Sequence, residues 1–174
     1  MNINIIVAYC KNNGIGLNNS LPWKISSDLK KFKNLTIGNG NNAIIMGKNT
    51  WLSLNSSPLT KRDNLILSNT LDIDKTCNTN IVKSFKNIEE LKDFIYLKSY
   101  SDVWIIGGEQ IYKLFIDNNI LKVNKIYVTF IDEIFNCDTY FPIIDLQKFH
   151  FKSISIHEKT DLNNIYNVYD ILLC

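Results

Sequence analysis

The sequence predicts an α/β fold: a single domain, residues 1–174, with a central mixed, mostly parallel sheet of about eight strands, an antiparallel C-terminal edge and about four flanking helices. Three observations carry this. Up to about residue 120, short β-branched runs alternate with helical stretches, the pattern of parallel strands joined by crossover helices. Glycine closes several of these runs just before a helical stretch begins. Beyond residue 125 the runs lengthen with no helix between them, as an antiparallel edge requires.

Taken in order, Ile3-Asn4-Ile5-Ile6-Val7-Ala8-Tyr9 is a compact apolar run, the signature of a buried strand. Residues 14–23 then read as a glycine-hinged loop ending in the rigid Pro22-Trp23 corner. Ser26 or Ser27 is a good N-cap for a helix to about residue 37, stopped by Gly38-Asn39-Gly40-Asn41-Asn42. Residues 42–46 form a second strand ending at Gly47, and 48–52 a short helix. Strands follow at 64–68 and, more weakly, at 80–82; Asn87 caps a helix over 88–97. Residues 103–106 are another buried strand, closed by Gly107-Gly108, and 109–118 the next helix. The last strands fall at 125–134, 150–157 and 165–173, with Asp161-Leu162-Asn163-Asn164 as a hairpin turn.

A chain of 174 residues suffices for one domain with a full core. With 45% hydrophobic and 21% charged residues, a net charge of +2 and no basic run longer than Lys30-Lys31, no nucleic-acid partner is expected. Cys10, Cys77, Cys137 and Cys174 are scattered, without C-x-x-C spacing, and His150 and His157 lie near none of them, so neither a metal site nor a disulfide framework is expected. The apolar run over residues 3–10 lacks a basic leader, and no stretch approaches the ~20 apolar residues of a spanning helix. The expected setting is a reducing cytosol, away from membranes.

In open α/β sheets, ligands bind beyond the carboxyl ends of the strands. Three segments meet there: the 14–23 loop, Gly47-Lys48-Asn49-Thr50 and Gly107-Gly108-Glu109-Gln110. At the last two, free backbone N–H groups and the helix dipole favour phosphate oxygens, and a pair of such junctions, one with a lysine, suits a dinucleotide. Neither is a full phosphate-binding fingerprint, and tight strand-to-helix turns explain the glycines equally well. Taken singly, Lys83 and Arg62 read as surface charges, and Lys48 reads equally well as a solvated lysine or a phosphate partner.

Asp28, in the first turn of its helix, reads first as an acid favoured by the helix dipole. It also shares a stripe with Phe32 and Leu35, at i+4 and i+7, where a carboxylate must be paired or protonated. No lysine or arginine stands at i+4 or i+7, so a ligand with N–H donors fits there. Trp23, Trp51 and Trp104 read as core or loop anchors, Thr129 as a β-former and Asp138-Thr139 as a turn. Spacing alone leads to an α/β nucleotide-binding domain with one candidate acid.

Read together, the segments resemble the dihydrofolate reductase family along nearly the whole chain. The matching runs are Gly14-Ile15-Gly16, Leu21-Pro22-Trp23, Asp28-Leu29-x-x-Phe32, Met46-Gly47-Lys48-x-Thr50-Trp51, Pro58-Leu59-x-x-Arg62-x-Asn64 and Leu67-Ser68. They continue with Ile106-Gly107-Gly108-x-x-Ile111-Tyr112, Tyr127-Val128-Thr129, Asp138-Thr139-x-Phe141-Pro142 and the closing strand from Tyr166. The resemblance implies NADPH-dependent reduction of 7,8-dihydrofolate to tetrahydrofolate for one-carbon metabolism and thymidylate synthesis, with hydride transfer to pterin C6 and protonation at N5.

On this resemblance the catalytic set is Asp28, Thr129 and the lid residues Leu21 and Trp23. Asp28 would pair with the pterin 2-amino group and N3–H, supported by the Thr129 hydroxyl. Ile6, Ala8, Leu29, Phe32, Leu54 and Ile106 would line the pterin and benzoyl pocket, and Arg62 would hold the glutamate α-carboxylate. Ala8, Ile15, Gly16, Leu21 and Ile106 would border the nicotinamide. Gly107-Gly108, resembling the family's cis Gly-Gly bond, would receive the diphosphate with Glu109, Gln110, Ile111 and Tyr112. Gly47, Lys48, Asn49, Thr50, Leu67, Ser68, Asn69 and Lys83 would meet the phosphates and adenosine, in a subregion of about residues 39–106.

Asn69 and Gln110 stand where many members carry serine and arginine, which thins the cations expected around the adenosine phosphate. The resemblance implies a monomer, and no fused thymidylate synthase is expected. Two alternatives remain: a related NADPH reductase acting on another pterin or a pyrimidine intermediate, and a non-catalytic nucleotide-binding homologue. Arg62 argues against the first, and Asp28, Trp23, Thr129 and the glycine pair against the second.

Overall fold

The apolar run at the N-terminus becomes the middle strand of a nine-stranded sheet. The structure, a computed structural model, describes residues 1–77, 79–117, 121–145, 149–161 and 164–174; within 155–166 it describes backbone alone. In chain order the elements are β1 (Asn2–Cys10), β2 (Gly14–Gly16), α1 (Ser26–Ile37), β3 (Asn42–Gly47), α2 (Lys48–Ser53), β4 (Asp63–Leu67), β5 (Asp74–Cys77) and β6 (Asn80–Phe85). They continue with α3 (Ile88–Lys98), β7 (Asp102–Gly107), α4 (Glu109–Asp117), β8 (Lys125–Ile131), β9 (Thr139–Tyr140), β10 (Phe151–Asp161) and β11 (Asn164–Leu173).

The strand order is β10-β11-β8-β1-β7-β3-β4-β6-β5, and a separate ribbon pairs β2 with β9. The strands from β8 to β6 run parallel to their neighbours, so their carboxyl ends share one rim. Both edges are antiparallel: β10 and β11 on one side, as the sequence predicts, and β5 on the other.

Successive side chains of a strand face opposite sides of the sheet, and the core divides accordingly. Ile5, Val7, Ala43, Ile45, Leu65, Val103 and Ile105 pack with Leu91 and Ile95 of α3 and Ile111, Tyr112 and Phe115 of α4. On the opposite face Ile6, Ile44, Met46, Ile66 and Trp104 pack with Trp51 of α2 and with Phe32 and Leu35 of α1. The stripe that carries Asp28 therefore does point at the sheet.

Several local expectations change. The N-cap of α1 is Ile25 rather than Ser26 or Ser27: the amides of Asp28 and Leu29 bond Ile25 O at 3.0 and 3.2 Å, and no side chain caps the helix. Asn87 does cap α3, accepting from Glu90 N at 3.0 Å while Glu90 reaches back to Lys86 N, a reciprocal cap. Strand β8 ends at Ile131 because the chain turns there, with Glu133 N bonding Ile131 O. β2, β5 and β9 are strands that the hydropathy pattern does not announce. The expected helix end at residue 118 and the turn at residues 162–163 lie outside the described residues.

Fully buried Asn64 stitches the loop before β4. Its Oδ1 accepts from Leu59 N and its Nδ2 donates to Leu59 O and Arg62 O, each at 2.9 Å. Asn64→Leu strips this loop of three bonds and is expected to cost about 3 kcal/mol in urea denaturation. A loss below about 1 kcal/mol would show that packing alone holds the loop.

Candidate active site

The strand exits open onto one cleft of about 1180 Å³. That exceeds the ~300–1,000 Å³ of an ordinary small-ligand pocket, so it has room for two molecules side by side. One wall carries Asp28, Leu29 and Phe32 of α1, Ile6 and Ala8 of β1, Leu54, Arg62, Ile106 and Thr129. Asp28 is half-buried here while Leu29 is 53% exposed, an apolar side chain left for a ligand to cover.

Two buried donors lining the cleft have no hydrogen-bond partner among the described residues. Trp23 Nε1 is one, and Arg62 Nε the other. Buried polar groups are rarely left unpaired, so each is a donor free for a ligand or water. Arg62 is 3% exposed, its Nη1 donating to Thr36 Oγ1 and to Lys33 O and its guanidinium 5.7 Å over the Phe32 ring. Burial lowers it to about 10. A buried cation without a carboxylate at its free edge is a ready anion receptor.

Thr129 departs from the expected support of Asp28. Its hydroxyl, 3% exposed, donates to Asp170 Oδ1 at 3.4 Å and accepts from Lys31 Nζ at 3.2 Å. Lys31 in turn pairs with Asp170 Oδ1 at 2.7 Å. Among the described residues its hydrogen-bond partners are Asp170 and Lys31, not Asp28.

The other half of the cleft is lined by Gly47, Lys48, Asn49, Thr50, Leu67, Ser68, Asn69, Gly108, Glu109, Gln110, Ile111 and Tyr112. Lys48 Nζ donates to Thr70 Oγ1 at 3.0 Å, which holds the ammonium over the Ser68–Asn69 turn. The Gly107–Gly108 peptide is cis, as the resemblance implies. Gly107 itself does not line the cleft: it has φ +105°, and a Cβ there would meet the Tyr112 ring at 2.7 Å. Tyr112, whose hydroxyl is buried and donates to Ile6 O at 2.9 Å, thus fills the space behind the turn. α4 then starts at Glu109, and the amides of Ile111 and Tyr112 both bond Gly108 O at 3.0 Å. Glu109's carboxylate accepts from Tyr140 N at 3.1 Å.

Lys83 requires a correction. On β6 it pairs with Asp74 of the edge strand β5 and lies 6.0 Å over the Phe94 ring, outside the cleft. The hidden β5 supplies its partner, so of the two lysines Lys48 lines the cleft and Lys83 does not.

This arrangement agrees with comparisons against known proteins. The family model described as dihydrofolate reductase matches residues 2–172. The chain is 36% identical to the dihydrofolate reductase of Buchnera aphidicola over 175 residues, covering 99% of this chain and 98% of that one. It is 35% identical to the Heliothis virescens enzyme and 37% to that of Gallus gallus, covering 85% and 84% of this chain and 83% and 81% of theirs. The chain belongs to the dihydrofolate reductase family. A dihydrofolate reductase from Enterococcus faecalis, solved with NADP(H) and RAB-propyl, superposes with a TM-score of 0.79 at 26% identity, over 99% of this chain and 95% of that one.

For a dihydrofolate reductase, the segment over the cleft is the least legible part of the sequence. Gly14 and Gly16 are not free hinges: they pair with Tyr140 and Thr139 in the β2–β9 ribbon. A Cβ on Gly14 would overlap the sulfur of Cys137, so glycine is required by close approach. That thiol, 4.0 Å from the sulfur of Cys10, is pushed up to about 11 by burial and by its neighbour. The sharp turn comes at Asn18-Asn19, with φ of 50° and 57°, closed by paired Leu17–Ser20 hydrogen bonds of 2.9 and 3.0 Å. Asn tolerates this left-handed geometry, which is the signal that could have located the turn. Ser20, Thr70, Thr139 and Lys33 also line the cleft and were not anticipated.

Asp138 tethers this turn, accepting from Asn18 N at 2.8 Å and from the Thr139 hydroxyl at 2.8 Å. These bonds hold its carboxyl below the usual carboxylate range, the Asn18 amide first. A depressed carboxylate contributes its tether at neutral pH and loses it only as pH falls through the folded-state value, which lies below the ordinary carboxylate range. Asp138→Ala is expected to raise the rate of limited proteolysis at residues 17–20 at neutral pH. Global stability in urea should barely change. Unaltered cleavage would mean that the β2–β9 ribbon alone holds the turn.

Proposed function

We propose that this protein reduces 7,8-dihydrofolate to 5,6,7,8-tetrahydrofolate with NADPH, supplying tetrahydrofolate for one-carbon metabolism and thymidylate synthesis. The observation that carries the reading is one cleft with a half-buried carboxylate on an apolar wall and, on its other side, a glycine-rich rim with a lysine. Family membership supports it.

The residues present fit NADPH: Gly108 leaves room beside Thr50 Oγ1, where a Cβ would come within 3.5 Å, and Lys48 stands exposed beside Ser68 and Asn69. Lys48, with Thr70, receives the 2′-phosphate. Thr50, Gly108 and the first amides of α4 receive the diphosphate, and Ala8, Ile15, Gly16 and Ile106 border the nicotinamide. When bound, NADPH supplies the hydride for pterin C6.

The chain supplies position and a proton path. Asp28 accepts N–H from the pterin 2-amino group and N3, which fixes the ring and polarises it. Ile6, Leu29, Phe32 and Leu54 cover its apolar faces, and Leu21-Pro22-Trp23 close over it and exclude bulk water. N5 takes its proton from a water admitted at the edge of the 17–23 segment, while Asp28 keeps the ring in register. The free edge of Arg62 takes the glutamate α-carboxylate, offsetting the cost of its burial. A tail-clamping arginine disfavours a substrate without a carboxylate tail, and the retained acid disfavours a non-catalytic homologue.

Residues 1–174 act as one domain, with residues 39–106 taking the adenosine half, and as a monomer in the cytosol. Among the described residues no helix is long and apolar enough to cross a membrane.

The direct test is loss of absorbance when the purified protein is mixed with NADPH and dihydrofolate; no loss sinks the reading. Asp28→Asn is expected to lower kcat by ~10²–10⁴-fold at neutral pH and to recover in part on acidification, where substrate arrives protonated. A wild-type rate at neutral pH would remove Asp28 from the chemistry. Lys48→Ala is expected to raise KM for NADPH by roughly tenfold or more and to leave KM for NADH nearly unchanged. Equal rises for both cofactors would show that Lys48 does not read the 2′-phosphate.

A further inference from the structure

Two sulfurs meet beneath the segment over the cleft, and the reaction proposed above uses neither. Cys10 ends β1 and Cys137 stands two residues ahead of β9. Their sulfurs are 4.0 Å apart and unbonded, Cys10 buried and Cys137 partly exposed. Gly14 is what lets them meet. A Cβ there would overlap the Cys137 sulfur and stand 3.1 Å from that of Cys10, so both thiols share the side-chain space that glycine leaves. The Cys10 thiol also donates to Asn12 Oδ1 at 2.8 Å.

This contact lies at the root of the β2–β9 ribbon. Cys10 packs in one cluster with Trp23 and Ile25, and Cys137 borders it. Cys10 O accepts from Asn13 N at the entry to β2. Cys137 precedes Asp138, whose amide bonds Gly16 O and whose carboxylate holds Asn18 N. The two roots are otherwise tied by hydrogen bonds, from Lys11 N to Glu133 O, Asn12 Nδ2 to Phe135 O and Phe141 N to Asn13 O. Such bonds open and re-form as a surface segment moves; a covalent bond would not.

We propose that Cys10 and Cys137 form a reversible disulfide, made by exchange with a small-molecule disulfide, that fixes the β2–β9 ribbon and slows the opening of the lid over the cleft. The Cys137 thiolate, on the exposed side, attacks one sulfur of the small disulfide and leaves a mixed disulfide. Its proton ends on the thiol released. The Cys10 thiolate then attacks the Cys137 sulfur and expels the second small thiol, which takes the Cys10 proton. In sum, two protein thiols and one disulfide become a protein disulfide and two small thiols. The sulfurs must close from 4.0 Å to the ~2.0 Å of the bond. Burial first, and Cys10 next, push the Cys137 thiol up to about 11, so attack is slow at neutral pH and the pair answers sustained oxidation.

The test incubates Cys77→Ser/Cys174→Ser, which retains only this pair, with excess glutathione disulfide. The expected product is lighter by two hydrogens, yields a linked peptide pair holding Cys10 and Cys137, and reverts with dithiothreitol. Limited proteolysis at residues 17–20 is expected to slow by about tenfold in the linked form. Turnover of dihydrofolate should fall several-fold and recover on reduction. Peptide mapping of the oxidised wild type repeats the first readout if the double variant does not fold.

The proposal is overturned if no link between Cys10 and Cys137 forms, or if glutathione is added to Cys137 and remains there. It is equally overturned if the linked protein is cut at the rate of the reduced one. Only the effect on turnover rests on the reductase reading. A wild type that does not turn over dihydrofolate removes that reading, while the linkage and the proteolysis are read without any turnover.

Discussion

Parallel pairing of the central strands is the constraint on which the rest depends. Because the strands from β8 to β6 all run the same way, their carboxyl ends lie along one rim. The chain reaches the next parallel strand only by a crossover or, after β4, by running back through the edge strand β5, since parallel strands cannot be joined by tight hairpins. The exits that open onto the cleft pass through Gly47 and Gly108, where backbone comes close to space a ligand can enter. The cleft is thus a by-product of topology before it is a product of side chains.

Within the cleft, stability and function pull in opposite directions. Arg62 is buried with its Nε unpartnered, Trp23 Nε1 likewise, and Asp28 sits on an apolar stripe. Each costs the empty fold something, and each is satisfied by a ligand that brings the matching donor or acceptor. The surrounding structure holds them in place: Asn64 secures the Arg62 loop from below, and Tyr112 fills the volume behind Gly107. Thr129, which lines the cleft, is held from the far side by Lys31 and Asp170.

The β2–β9 ribbon is where local sequence says least. Gly14-Ile15-Gly16 has neither the alternation nor the length of a strand, and Thr139-Tyr140 is a two-residue element. They pair because Asp138 and Phe141 bond Gly16 and Asn13 across more than a hundred residues, contacts with no local signature. β5 is hidden for a similar reason: Asp74-Lys75-Thr76-Cys77 is polar, and it becomes a strand only by completing the edge of β6. Its Asp74 then draws Lys83 away from the cleft, so one misplaced cation follows from one unseen strand.

What the sequence by itself determined is the interior. The β-branched runs, the glycines after them and the stripe of Asp28, Phe32 and Leu35 predict the parallel sheet, its crossovers and the side of α1 that faces the cleft. These are legible because burial imposes periodicity on neighbouring residues. The motif runs added the family and, with it, a list of cleft residues that the structure gathers almost entirely into one cavity. Only the tertiary structure decided polar partnerships: Thr129 with Asp170 and Lys31, Lys83 with Asp74, Asp138 with the turn at Asn18. A hydrogen bond depends on a few tenths of an ångström and a direction between residues far apart in the chain, and no local pattern encodes either.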